Sequence, residues 1–206
     1  MGKWMRANLD EGASRALGAA AWIAELSFHG VVQLTRKGDE LEIMGTNGYI
    51  MVLVRELCGF DEWPDGESIK FASSEHRAKS VAKLIKLACK NSTPCRICAT
   101  VEEWEGGCVL QLEALTTGTF SIRARLNLDD GKPISLEKFE NMPTDAHEGH
   151  VASSGKTWWH IGKLIAKVDM IPTTTAWTFH DCGPLHAYDL QRDDGKARII
   201  AMPMKV

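Results

Sequence analysis

Residues 79–90 read KSVAKLIKLACK and residues 156–167 read KTWWHIGKLIAK. In the first, Lys79, Lys83, Lys86 and Lys90 stand at offsets of 0, 4, 7 and 11, which in a helix places all four in one narrow arc. Val81, Leu84, Ile85 and Ala88 fall on the opposite side, so the spacing predicts an amphipathic helix with an apolar face on a sheet and a basic face outward. The second stretch repeats the arrangement with Lys156, His160, Lys163 and Lys167, each 77 positions on, and with Trp158, Ile161, Ile165 and Val168 as its expected buried side. An ordinary exposed helix mixes both signs to pair across i,i+4. A face that is basic twice, in one register, points instead to a phosphate-bearing partner. Removing the eight cations of these helices (Arg77, Lys79, Lys83, Lys86, Lys90, Lys156, Lys163 and Lys167) takes the net charge from −3 to −11. The chain is an acidic body with a basic seam, which holds nucleic acid locally without making the whole surface adhesive. No aromatic side chain is expected on the exposed side of the stripe, so base stacking is not indicated and the expected ligand is duplex backbone.

Working outward, each helix belongs to a repeated unit. A first helix is expected from Asp10, a good N-cap, to Ala24. VVQLTRKGDELEIMGTNGYIMVLVREL follows as two or three strands, with turns at Lys37-Gly38-Asp39 and Asn47-Gly48. Phe60–Glu67 reads as a loop and SIKFAS as a short strand. The second helix, about Ser74–Lys90, leads into CRICATVEEW, CVLQLEAL and TFSIRARLNL, three strands broken at Gly106-Gly107 and Thr117-Gly118. Asp129–Gly149 has the composition of a connector. The third helix, about Ser154–Val168, precedes TTTAWTFHD, LHAYDLQ and ARIIAMPMKV. The pattern is an extended lead, a helix and three strands, three times over. No such unit buries a core alone, because one helix on three strands leaves much apolar surface open. The expected fold class is α+β, with antiparallel sheets outside and basic helices inside. Residues 1–143 make one complete domain of two units, and residues 144–206 make a half domain of one.

With 206 residues, 44% hydrophobic and 25% charged, the composition is globular and excludes long disorder. No run of 18 apolar residues occurs. Asp10, Glu11 and Glu25 interrupt any secretory-signal reading of the N-terminus, and Arg6 stands where a myristoylation signal wants Ser or Thr. A soluble, cytoplasmic protein with free thiols is expected. Cys95 and Cys98 make one C-x-x-C, but on a strand their side chains point to opposite faces, so no metal site is expected. SSGKT at Ser153–Thr157 lacks the Gly that a phosphate-binding loop needs at the place of His150. The acid pairs Glu102-Glu103, Asp129-Asp130 and Asp193-Asp194 lie at strand ends or turns, and no nucleophile is placed beside a base. No cofactor and no catalytic residue is expected. A metal-dependent nuclease or hydrolase, or a non-ring DNA-binding protein built from such units, stands as the alternative to the reading below.

Three segments resemble the sliding clamps that hold DNA polymerases on their template, specifically the bacterial replicative clamp, the β subunit of DNA polymerase III, in a shortened bacterial or phage version. ARIIAMPMKV is similar to that family's closing strand, LEIMGTNGYIMVLVREL to a strand-turn-strand of its middle domain, and RARLNLDDGKPISLEKFENMP to the strand and connector that close the same domain. The resemblance implies a non-enzymatic processivity factor whose helices line a hole around duplex DNA. DNA contact would fall to Arg77, Lys79, Lys83, Lys86, Lys90, Lys156, His160, Lys163 and Lys167. Peptide motifs of a polymerase and a clamp loader would dock against Thr46, Gly48, Tyr49 and Met51 with Ile200, Met202, Pro203 and Met204. Methionines suit such a surface because they repack for several ligands. Asn47 and Tyr49 replace the family's usual acidic and His residues. Clamp rings contain twelve helix-plus-strands units, so three units per chain imply a homo-oligomeric ring of four chains rather than three.

Overall fold

The computed structural model describes residues 5–27, 29–72, 80, 81, 83–85, 87, 97–104, 107–114, 122–128, 134, 155–169, 176–180 and 187–201. The first unit comprises β1 (Met5–Leu9), α1 (Glu11–Ala24), β2 (Val31–Lys37), β3 (Glu40–Thr46) and β4 (Ile50–Leu57). After β5 (Gly59–Asp61), the second has β6 (Ser68–Ala72), a middle helical segment, β7 (Ile97–Trp104), β8 (Gly107–Ala114) and β9 (Ile122–Asn127). Residues 80, 81, 83–85 and 87 carry that segment. The third has α2 (Gly155–Val168), β10 (Trp177–His180), β11 (Tyr188–Arg192) and β12 (Ala197–Ala201). This is the expected α+β order of helix and three strands, three times. The connector expected at Asp129–Gly149 lies outside the described residues except for Ile134.

Local sequence accounts for most elements. Asp10 caps α1, its carboxylate accepting from the Ala13 N–H at 2.9 Å, and Glu11 favours the positive end of the helix. Ala13, Ala16, Ala19, Ala20, Ala21 and Ala24 are buried along α1 with Leu17 and Ile23. Fully burying such a Leu or Ile contributes about 1.5–3 kcal/mol, and the small alanines let the helix lie close on β3. A Cβ at Gly45 would sit 2.4 Å from the Ala20 backbone, so no other residue fits there. Gly38 and Gly48 have φ of +62° and +92° and make the two expected hairpin turns.

Among the described residues all strand pairing is antiparallel, in two sheets. One runs β5-β1-β7-β8-β9, the other β10-β11-β12-β4-β3-β2-β6. The first two units exchange their leading strands. β1 pairs with β7 of the second unit, and β6 pairs with β2 of the first. The third unit extends the larger sheet, Ile199 of β12 lying opposite Val52 of β4. One core joins α1, the middle segment, α2 and both sheets.

The expected loop at Phe60–Glu67 is partly ordered pairing. Gly59–Asp61 forms β5 on β1, and Trp63 is fully buried, its indole N–H donating to the Glu67 carbonyl at 3.2 Å. The edge of β1 and the burial of an aromatic ring together override the turn-like composition.

A charge cluster centred on the buried Arg192 and Asp169 ties the third unit to the first. Arg192 of β11 reaches Asp169 and Glu56, each at 3.6 Å, and Asp194 at 2.9 Å. Trp177 donates its indole N–H to Asp169 at 2.9 Å. Burial pushes the Glu56 carboxyl above its ordinary range against the pull of Arg192. Burial also works against the Asp194 anion, but hydrogen bonds from Arg192 and the Lys196 N–H outweigh it and hold that carboxyl below its ordinary range.

Candidate functional site

Three helical elements lie side by side. A Cβ at Gly18 of α1 would come within 3.2 Å of Ile85, so the middle segment packs along one flank of α1. α2 also packs against α1, one turn further on, where Trp22 meets Trp159 and His160. The middle segment is oriented as its spacing predicts, with Val81, Leu84 and Ile85 buried and Lys83 exposed. Arg77, Lys79, Lys86 and Lys90 lie outside the described residues. Lys83 shares a shallow groove of about 310 Å³ with Ser80, Leu87, Arg123 and Arg125. Arg123 also pairs with Glu113 at 2.9 Å. These two arginines were missed by a reading centred on helices, although their spacing of two in RARLNL on a strand already put them on one face.

α2 is rotated about its axis from the expected setting. Its buried line runs through His160, Ile161, Leu164 and Val168, while Trp158 is 40% exposed. Trp158, expected in the core, packs instead on Phe179 and Tyr188, at 5.6 and 5.2 Å between ring centres. His160, expected on the basic face, turns inward, edge-on to Trp22 at 5.8 Å. The cause is a second packing surface. α2 rests on α1 as well as on β12, so its buried face is the one shared by both neighbours. Lys163 remains exposed and Lys167 half-buried. The side chain of Lys156 is outside the described residues. Trp159 is 55% exposed beside Lys163, so the stripe does have an aromatic neighbour on its open side.

The other expected site gathers on the outer face of the larger sheet. Met51 and Ile200 are direct cross-strand partners and form, with Met44 and Leu53, a small apolar cluster separate from the main core. All four are buried, with Ile134 and Ala187 packed against them. Gln33 holds Ile134 in place, accepting from its N–H at 2.7 Å and donating to its carbonyl at 3.3 Å. Neither Gln33 nor Ile134 was expected at the site, since no local pattern joins them. Thr46 is buried and accepts from the Gly48 N–H at 3.0 Å. The Asn47 carboxamide accepts from the N–H groups of Tyr49 and Ile50 at 2.9 and 2.8 Å, fixing the turn that presents Tyr49, 57% exposed. Met202, Pro203 and Met204 lie outside the described residues.

Nearly the whole chain superposes on solved bacterial clamps. A DNA polymerase sliding clamp from Caulobacter crescentus superposes with a TM-score of 0.56 at 11% identity, covering 98% of this chain and 66% of that one. The fold is that of a sliding clamp. A Helicobacter pylori β clamp bound to a DNA ligase peptide gives 0.56 at 10% identity, over 100% of this chain and 67% of that one. The Pseudomonas aeruginosa clamp, DNA polymerase III subunit β bound to griselimycin, gives 0.52 at 12%, over 96% and 64%. This clamp-like chain thus spans about two thirds of the length of the clamps it resembles. No protein-family model and no curated protein matches its sequence. Among the described residues no helix of the clamp fold is long and apolar enough to cross a membrane, and no group of three His, Cys, Asp or Glu side chains is placed to hold a metal ion.

Proposed function

We propose that this chain is a subunit of a DNA sliding clamp, a non-enzymatic ring that encircles duplex DNA and tethers a polymerase and other partners. The observation that carries the reading is the clamp fold spanning nearly the whole chain, with Lys83 and Lys163 exposed on its helices. Phosphate contacts from flexible lysines are strong enough to hold a duplex and too unspecific to stop it sliding. The DNA-facing set comprises Arg77, Lys79, Lys83, Lys86, Lys90, Lys156, Lys163 and Lys167, to which Arg123 and Arg125 are added. His160 is removed from it, since a ring buried against Trp22 does not reach a phosphate.

Partner peptides dock at the cluster of Met51 and Ile200, with Tyr49 and the Met202–Met204 segment beside it. The peptide's apolar side chains replace those now packed there. Residues 1–143 form the two-unit body and residues 144–206 the single unit. Four chains supply the twelve units of a ring, and a clamp loader opens it.

Retention on DNA tests this directly. A ring stays on closed circular DNA through gel filtration at moderate salt and is lost when the circle is cut once. A simple DNA-binding protein leaves circle and linear form at the same rate, and a nuclease degrades the circle when Mg²⁺ is added. Either result overturns the reading.

A further inference from the structure

Trp159 exposes more than half its surface, and the Lys163 ammonium lies 5.6 Å from the centre of its ring. Trp22 of α1 is 6.2 Å away between ring centres, at 57°, and the Lys167 ammonium lies 5.3 Å from its centre. His160 touches both indoles, at 5.8 and 5.2 Å, and closes the patch from the buried side. Two indoles and two ammonium groups are therefore held in one surface patch between α1 and α2.

Folding alone gives little reason for this. An indole more than half in water returns only a fraction of its burial energy. Sliding on duplex gives no reason either, because paired bases are stacked on each other and only phosphate is presented to the helices. An unpaired base is different. It offers a free π-face to an indole, and its flanking phosphates offer anions to ammonium groups that already sit at the ring faces.

We propose that the Trp22–Trp159 patch binds single-stranded DNA, stacking an unpaired base on Trp159 while Lys163 and Lys167 take the adjacent phosphates. The proposal rests on the clamp reading for its choice of nucleic acid. It assigns to the same helices a second ligand form, the single strand that continues beyond a duplex end.

Fluorescence anisotropy with labelled oligothymidine of about 15 nucleotides, enough to cover a site of this kind, is compared with a duplex of equal length. Trp159→Ala should weaken single-strand binding about tenfold, the effect of losing one stacked base. Trp159→Phe should restore most of it. Duplex affinity should change much less than single-strand affinity in either variant, and because Trp159→Ala also loses the ring contacts to Trp22 and His160, both variants are measured well below their own melting temperatures. The proposal is overturned if the unaltered protein does not bind oligothymidine, or if Trp159→Ala weakens both forms equally or neither. These failures leave retention on closed circles intact, so they are distinct from failure of the ring reading. Conversely, a protein that escapes closed circles yet shows the Trp159-dependent single-strand affinity loses the ring and keeps the stacking site.

Discussion

The Cys58 thiol, just after β4, lies partly buried with the carboxylates of Asp10 and Glu56 near it. Burial first, and these two negative charges second, push its pKa up to about 12 from an ordinary 9.0. A thiol this hard to ionise is a poor nucleophile. In the native protein Cys58 should alkylate slowly with iodoacetamide at pH 8 and rapidly in denaturant, read by mass spectrometry of the site. The stability consequence has a definite sign. Below pH 9 both folded and unfolded chains keep the proton; above it the unfolded chain ionises first, so stability falls as pH rises toward about 12. Denaturation curves for the unaltered protein and Cys58→Ala should therefore converge, or cross, on going from pH 8 to pH 11. Arg192 gives the largest expected single-residue effect. Replacing it with Met leaves Asp169, 1% exposed in its side chain, and Glu56 without their cation. Breaking a buried pair in this way costs about 3–5 kcal/mol, measurable as a drop in the urea midpoint.

At the scale of elements, the helices carry two separable kinds of residue. Lys83 and Lys163 project from elements held by Val81, Leu84, Ile85, Ile161 and Leu164, all buried. Reversing both charges, Lys83→Glu with Lys163→Glu, should leave the melting temperature within about 2 °C, as exposed charges contribute little to folding. It should lower duplex affinity and reduce the slope of log affinity against log salt by about 0.9 for each phosphate no longer neutralised. An unchanged slope would remove these lysines from the DNA surface. The β3–β4 turn makes a parallel case for the outer face. Tyr49 stands exposed on a turn whose backbone is held by Asn47, so Tyr49→Ala should not alter stability. If the adjacent methionine cluster receives partner peptides, the same variant should weaken binding of a fluorescent polymerase-derived peptide severalfold. Equal binding by both proteins would place the pocket elsewhere.

Across the whole molecule, the exchange of β1 and β6 lets the first two units finish each other's sheets. The third unit has no such exchange among the described residues. It joins through β12 on β4, and among the described strands β10 stands at the end of the larger sheet. An edge strand with exposed Phe179 and Trp158 beside it is a surface that association would cover. Light scattering at micromolar concentration should give a mass near four times 22.8 kDa. A mass near three times that value would call for a further unit in each chain, and a stable monomer would exclude the ring.

What the sequence determined by itself was whatever depends on neighbours a few residues apart. Asp10 before an alanine-rich run set the start of α1, Gly38 and Gly48 set the hairpins, and the 3.6-residue period put Val81, Leu84 and Ile85 inward with Lys83 outward. The closing strand's likeness to clamps placed Ile200 near Met51, and register makes them direct partners. What only the tertiary structure decided depends on surfaces brought together from afar. The periodicity of α2 identifies a helix with one polar side, but not that α1 lies against it; that packing turns His160 in and leaves Trp158 and Trp159 partly exposed. The Gln33–Ile134 bonds join residues 101 positions apart, and the strand exchange is invisible to any pattern along a single element. Local spacing fixes which face of an element is apolar. Only the packing of several elements at once fixes how much of that face is covered, and by what.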